Sequence, residues 1–374
     1  MNRLEQYLAD KIQERTLAGN LRRLTTHRAE VDLFSNDYLG LATTGALAQL
    51  MQPYSVNTHD TGSTGSRLLS GNSAEAEALE STIAAFHKAE AALLFNSGYD
   101  ANVGLITSIT GRSTTILSDE LCHASLIDGI RLSQCARRYK FAHNDLDDLA
   151  EKLRKYKDAG PVLVVVESIY SMDGDMAPLA EMAALCEAHD AQLIVDEAHA
   201  TGFAGAHGEG LVCALGLQDR VFARVHTFGK ALGCHGAAVV GSSLLKQFLV
   251  NFARTFIYTT ALPLHAVHAI TCAYSYLASQ DFTNAQLHEL IAYFRSCIKE
   301  TGSNGWKDSY SPIQALVIGD NEKSRQVAAR LQQAGLQVNP ILSPTVAAGE
   351  ERLRVCLHMF NTREEVDRLF ANCF

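Results

Sequence analysis

Positive charge is in short supply: 32 lysines and arginines face 41 aspartates and glutamates, for a formal net charge of −9. A surface of that sign does not attract nucleic acid or anionic membrane in bulk. No apolar run approaches the length of a bilayer span, and the N-terminus lacks the charged, apolar, small-residue layout of a secretory signal. The nine cysteines are scattered, with no C-x-x-C and no metal-type spacing with histidine. Reduced thiols in a cytoplasmic protein are therefore the expectation. No N-x-S/T acceptor, no G-x-G-x-x-G and no Walker A sequence occurs, since Gly229-Lys230 is followed by Ala231. Dinucleotide and P-loop chemistry lose their usual signals.

What the chain does have is enough apolar material for a substantial core: 47% of its 374 residues. That length suits one large domain with a smaller companion. Leu4 to Leu24 reads as helix. Residues 1–28 carry six basic side chains (Arg3, Lys11, Arg15, Arg22, Arg23, Arg28) against Glu5, Asp10 and Glu14. This is either an exposed amphipathic helix or a local basic rim for an anionic substrate. Residues 61–73 form a Gly/Ser loop, and Ser73 caps a helix over Glu75–His87.

Strand and helix patterns then alternate. Strands are expected at Ala91–Phe95, Thr114–Ser118, Arg138–Phe141, Val162–Val166, Gln192–Val195, Val225–Thr227 and Ala237–Val240. Helices are expected at Tyr99–Ile109, His123–Cys135 and Pro178–His189. The continuous apolar run Val162–Val166 suits a strand buried on both faces. The expected fold is α/β, a mainly parallel central sheet covered by helices. From Leu264 the pattern changes to a long helix, a strand at Ile313–Ile318, a helix, and short strands near Val338 and Val355. Three parts are expected: an N-terminal helix and substrate-contacting segment over 1–45, a large domain over 46–263, and a small α+β C-terminal domain over 264–374.

Ligands of open α/β sheets sit beyond the carboxyl ends of the strands. Gly98 with Tyr99, His123, Ser168, Asp196 with His199, and Thr227 with Lys230 all stand there. Ser97-Gly98-Tyr99 leads from strand to helix, where backbone N–H groups favour an anion such as phosphate. Asp196 ends a buried strand, and a carboxylate there needs a partner. A protonated heteroaromatic nitrogen, a metal shared with His199, or a helix-capping role would each supply one. Lys230, among Phe228, Gly229, Ala231 and Leu232, sits where an amine loses its proton and attacks a carbonyl. His123 reads as a base, a structural histidine or a platform for a flat cofactor, and its company favours the last.

These segments together resemble the α-oxoamine synthases, fold-type I enzymes dependent on pyridoxal phosphate (PLP). The motifs are N-D-Y-L-G-L at 36–41, S-G at 70–71, N-S-G-Y-D-A-N at 96–102 and H-A-S-L at 123–126. They continue with S-M-D-G-D at 171–175, D-E-A-H at 196–199, T-F-G-K at 227–230 and P-T-V-x-x-G-x-x-R-L-R at 344–354. F-A-H-N-D at 141–145 and V-I-G-D-N at 317–321 look like the branch that serves biotin synthesis.

The resemblance implies that Lys230 carries PLP as a Schiff base and moves protons, that His123 stacks on the ring, and that Asp196 keeps the ring nitrogen protonated. It implies His199 and Ser168 on the phenolic-oxygen side, and Gly98, Tyr99 and Thr227 at the phosphate. Thr259 and Thr260 would reach a phosphate across the interface of a homodimer. Asn36 and Arg354 would hold the amino-acid carboxylate, Arg22 and Thr345 would meet the acyl substrate, and Ser66 would lie at the substrate. No metal is expected.

The reaction implied is decarboxylative condensation of an amino acid, L-alanine in the biotin branch, with a pimeloyl thioester of coenzyme A or acyl-carrier protein. Two departures bear on the acyl substrate: Ala347 replaces the family's second proline, and Arg67-Leu68-Leu69 looks more like 2-amino-3-ketobutyrate CoA ligase. Serine palmitoyltransferase is a further relative to weigh, as are a PLP aminotransferase or lyase and a non-catalytic module that keeps the fold.

Overall fold

The computed structural model describes residues 1–22, 24, 26, 29–55 and 61–373. Arg23 and Arg28, part of the expected basic rim, lie outside the described residues, as do residues 56–60 of the expected large domain. Two compact units emerge: residues 36–171 with 176–285, and residues 1–35 with 172–175 and 286–374.

The larger unit is built on seven strands: β1 (Ala91–Phe95), β2 (Thr115–Asp119), β3 (Arg137–Phe141), β4 (Val162–Glu167), β5 (Ala191–Asp196), β6 (Ala223–Thr227) and β7 (Ala237–Gly241). Their order across the sheet is β1-β7-β6-β5-β4-β2-β3. The pairs β2–β3, β2–β4, β4–β5 and β5–β6 are parallel, while β7 runs antiparallel to both its neighbours. Only residues 228–236 separate β6 from β7. A parallel return needs a crossover of a dozen residues or more, so this short link forces reversal.

Side chains alternate across the strands. Leu163, Val165, Ile194, Ala223 and Val225 face one core with Ala101, Leu105 and Ile106 of the helix Gly98–Ile109. Val162, Val164, Val166, Leu193 and Val195 face the other, with Leu149 and Leu153 of the helix Leu146–Tyr156 and Met182 and Cys186 of the helix Leu179–Ala188. The same alternation puts Glu167, Asp196 and Thr227 on the face shared with the helix Gly98–Ile109.

The smaller unit carries an antiparallel sheet of β8 (Ile313–Val317), β9 (Asn339–Ile341) and β10 (Arg352–Cys356), with β10 in the middle. Val31–Asp32 pairs parallel with Leu336–Gln337. Its first helix covers Arg3–Leu17, shorter than the expected Leu4–Leu24. Gly19, at φ +63°, ends it: the Gly19 N–H donates to Thr16 O and the Asn20 N–H to Arg15 O. This is a Schellman stop, which a left-handed glycine favours.

The compact units divide at other residues than the expected boundaries after 45 and 263. The helix Leu264–Leu277 belongs to the larger unit, because Tyr274 is buried there. Its hydroxyl lies 2.8 Å from His87 Nε2, and its ring meets Phe228 edge-on. Conversely, residues 1–35 join the smaller unit through Val31 and Leu33, which bond to Gly335 and Gln337. Among the described residues, no helix is long and apolar enough to cross a membrane.

Candidate active site

Fifteen residues line a cavity of about 280 Å³ in the larger unit. Seven were expected from the sequence: Asn36, Gly98, Tyr99, His123, Asp196, Thr227 and Lys230. All but Asn36 arrive from the ends of β1, β2, β5 and β6, and from the turn after β6, whereas Asn36 comes from the segment that follows Val31–Asp32. That turn is closed by backbone bonds from Phe228 N to Gly236 O (3.0 Å), Cys234 N to Phe228 O (2.8 Å) and Gly233 N to Lys230 O (2.9 Å). Lys230 stands half-buried in it, flanked by buried Phe228, Ala231 and Leu232.

At one end of the cavity Ser97 caps the helix Gly98–Ile109, its Oγ accepting from Asp100 N at 3.0 Å. The first-turn amides of Gly98 and Tyr99 have no intrahelical acceptor. A Cβ on Gly98 would lie 2.3 Å from Thr227 Cγ2, so only glycine brings the backbone this close to Thr227. Thr227 is buried, and its Oγ1 has no partner among the described residues. Free amides, a helix N-terminus and a donor hydroxyl together suit a phosphate.

At the other end Asp196 is 4% exposed. Oδ1 accepts from Ala198 N at 2.9 Å, and Oδ2 accepts from Asn102 Nδ2 at 2.7 Å. The second hydrogen of Asn102 Nδ2 goes to Ser125 Oγ at 2.9 Å. Asn102 Oδ1 is buried with no partner among the described residues, at a cost of about 1–3 kcal/mol. His123 caps the helix Ala124–Leu132, and its Nδ1 lies 2.7 Å from Ser125 Oγ and accepts from Ser125 N at 3.2 Å. Its pKa sits below the ordinary histidine value. Desolvation is the main cause, nearby Lys230 acts the same way, and Asp196 opposes both.

Glu167 pairs in register with Asp196 across β4 and β5 and also lines the cavity. Burial, then the charge of Asp196, pushes its pKa up to about 8. Its Oε1 has no partner among the described residues.

Ser168 lies just behind the wall. It is fully buried, its N–H donating to Asp196 O at 2.9 Å. His199 Nδ1 is 2.8 Å from the Tyr38 hydroxyl, which donates to Asn36 Oδ1 at 3.1 Å, so Tyr38 links two expected residues. Tyr38, Asn102, Ser125 and Glu167 were missed in the sequence. Of these, Glu167 had a legible signal, a carboxylate closing the apolar run Val162–Val166.

Other expected residues are not among those that line this cavity. Thr259 lines a second one, also of about 280 Å³, with Arg67, Ser70 and Asn96. Asn96 Nδ2 donates to Thr259 Oγ1 (3.0 Å) and to Thr260 O (2.7 Å). Ser66 is buried, its carbonyl accepting from Leu69 N and Gly71 N. In the smaller unit Arg22 Nη2 donates to Thr345 Oγ1 at 3.2 Å, and Arg354 is buried on β10 with Nη1 2.9 Å from Cys356 Sγ. Among the described residues no cluster of three or more potential metal-ligating His, Cys, Asp or Glu side chains occurs.

A sheet of this order, with a lysine and a carboxylate at successive strand ends, defines a fold-type I enzyme. The chain belongs to the aminotransferase class I and II family, whose model matches residues 28–372. It is 44% identical to an 8-amino-7-oxononanoate synthase of Emericella nidulans, over 91% of this chain and 88% of that one. It is 43% identical to an 8-amino-7-oxononanoate synthase of Marinobacter nauticus, over 91% of this chain and 86% of the relative. Among solved structures it is similar to a serine palmitoyltransferase variant from S. paucimobilis with bound PLP–myriocin aldimine. The TM-score is 0.90 at 26% identity, with 100% of this chain and 98% of that chain covered.

Proposed function

We propose that the chain condenses L-alanine with a pimeloyl thioester, carried by coenzyme A or acyl-carrier protein, with loss of carbon dioxide and the thiol. The product is 8-amino-7-oxononanoate for biotin synthesis, and the cofactor is PLP. One observation carries this reading: Lys230, Asp196, His123, Gly98 and Thr227 line a single cavity. It does so in a chain 43–44% identical to 8-amino-7-oxononanoate synthases over 91% of its length.

The cavity fits the cofactor on its own terms, since the unpartnered Thr227 hydroxyl and the Gly98 cradle suit a phosphate, and Asp196 suits a ring N–H. When bound, PLP supplies a carbonyl that exchanges amines and a ring that takes up the electron pair released at the α-carbon. With PLP bound, Lys230 would hold it through its amine and carry the α-proton. Asp196 would keep the ring nitrogen protonated, and His123 would stack on the ring. Gly98 and Tyr99 amides and the Thr227 hydroxyl would hold the phosphate, with Ser168 and His199 on the phenolic side.

Asn36 and Arg354 bind the amino-acid carboxylate, the latter suited by its guanidinium fork. Arg22 and Thr345 serve the acyl substrate, and Ser66 is a substrate-binding residue. Thr259 and Thr260 complete the phosphate site of a second copy in a homodimer. Exposed Leu68, Leu69 and Tyr258 adjoin the cavity that Thr259 lines, which supports a partner on that face. The nine cysteines are free thiols, in keeping with the reducing cytoplasm.

The purified protein is expected to take up PLP and turn yellow. It should release thiol only when L-alanine and a pimeloyl thioester are both present. Lys230→Ala should lose its colour after hydroxylamine and dialysis, and lose activity by about a thousandfold or more. Faster thiol release with glycine and acetyl-CoA would move the assignment to 2-amino-3-ketobutyrate CoA ligase, which the Arg67-Leu68-Leu69 segment resembles. Amino transfer to a keto acid without thiol release would overturn the condensation.

A further inference from the structure

Four residues form one hydrogen-bonded chain across the cavity wall: Asp196, Asn102, Ser125 and His123. Its polarity is fixed by donor and acceptor types. Asp196 is acceptor-only when ionised, so the Asn102 atom at 2.7 Å is the amide nitrogen. The other hydrogen of that nitrogen reaches Ser125 Oγ, which leaves the serine hydroxyl free to donate onward to His123 Nδ1. The Ser125 N–H, which can only donate, points at the same Nδ1. Nδ1 is therefore an acceptor, and the neutral ring carries its proton on Nε2. Among the described residues Asn102 Oδ1 is left buried and unpaired. The residue's two amide donors are both used at the site, while its acceptor is not.

We infer that Asn102 and Ser125 are positioning residues for both groups flanking the cofactor. Asn102 holds the Asp196 carboxylate oriented toward the ring nitrogen, and Ser125 holds His123 as the Nε2–H tautomer. This rests on the PLP reading above. Without the Asn102 donor the carboxylate is no longer fixed against the ring nitrogen, so the cofactor ring holds its own proton less firmly. A less cationic ring withdraws less charge from the Lys230 nitrogen joined to it, and that nitrogen keeps its proton to higher pH. The other titratable and charged groups around Asp196 are Glu167, Cys122, His123 and Lys230, with Asp128 beyond His123. All are unchanged in the variants that test the idea.

The test uses PLP-loaded wild type, Asn102→Ala and Ser125→Ala. It reads the pH midpoint of the visible absorption band and the Kd for PLP after removal and re-addition. Asn102→Ala should move the midpoint up by about one pH unit and weaken PLP binding by about 10- to 100-fold, the worth of one hydrogen bond to a charged group. Ser125→Ala frees the Asn102 amide to turn away, and should shift both in the same direction by less. A loss of packing alone would lower the melting temperature without moving the midpoint. Wild-type midpoint and Kd in both variants would overturn the inference. If Asn102→Ala shows no cooperative melting, Ser125→Ala decides on the same readouts. A wild type that binds no PLP would remove the cofactor reading, and this inference with it.

Discussion

Thr227→Val gives a test in which stability and cofactor affinity should move in opposite directions. Thr227 is buried at 9% exposure, and its hydroxyl oxygen has no partner among the described residues. Leaving such a group unsatisfied costs about 1–3 kcal/mol, and an isosteric methyl removes that cost. The cofactor-free variant should therefore melt higher than the cofactor-free wild type, by roughly 2 °C or more.

In the proposed function the same hydroxyl bonds the phosphate of PLP. Losing a hydrogen bond to a charged group is worth about 1.5–3 kcal/mol, or roughly 10- to 150-fold in Kd. The two effects meet in a melting experiment with and without PLP. At PLP held at 100 times the wild-type Kd, binding stabilises wild type by about 2.7 kcal/mol. A thirtyfold weaker variant at the same concentration gains only about 0.9 kcal/mol. Calorimetry or fluorescence melting with a PLP titration reads both quantities. A variant that melts lower without PLP and binds it as tightly as wild type would refute the assignment of Thr227 to the phosphate.

Gly98→Ala should act at the same place through volume. The added Cβ meets Thr227 Cγ2 at 2.3 Å, so either the helix start or β6 must give way. A stability loss of about 1–3 kcal/mol is expected from overpacking, together with weaker PLP binding, as read by melting and titration. Glu167→Gln should change how stability depends on pH. The folded protein holds the Glu167 proton up to about pH 8, whereas the ordinary glutamate value is 4.5. Between those values the unfolded chain has lost the proton and the folded chain keeps it, so this group lowers stability as pH rises from about 4.5 to 8. Denaturant melts at pH 5, 6.5 and 8 should show that downward contribution in wild type and its absence in the variant. An unchanged pH profile would refute the assignment.

Much of this was legible because buried parallel strands write themselves as apolar runs, and their carboxyl ends are where ligands sit. Leu163, Val165 and Ile194 mark strands, and so locate Asp196 and Thr227 as strand-end residues. What was less legible depended on the partner of a segment rather than the segment itself. Asn102 lies within a helix, and nothing in its own neighbourhood distinguishes a surface amide from one that reaches a carboxylate 94 residues away. The helix Leu264–Leu277 looked like the opening of a new domain because the strand alternation stops there. Its place is decided by Tyr274 against His87 and Phe228, which no local pattern reports. Two features did have local signals. The reversal of β7 follows from the shortness of residues 228–236. The helix Leu146–Tyr156 has an Asp145 cap and buried leucines at 149 and 153.

Asp196 and Glu167 show how one helix differentiates two otherwise equivalent carboxylates. They are register partners on adjacent parallel strands, both buried, both on the face that the helix Gly98–Ile109 covers. Two like charges so placed disfavour joint ionisation, and the one with better donors keeps its charge. Asp196 has a backbone N–H from Ala198 and an amide from Asn102. Glu167 feels the backbone groups of His123 and Ser171, but burial and the charge of Asp196 outweigh them. Asp196 thus has a side-chain donor that Glu167 lacks, and Glu167 holds its proton up to about pH 8. The same helix begins at Gly98, where its free amides meet the unpartnered Thr227 hydroxyl. Its N-terminus suits the phosphate end of the cofactor, and Asn102, just over one turn further on, bonds the carboxylate proposed to face the ring nitrogen. A shift of this helix would therefore disturb both ends of the cofactor together.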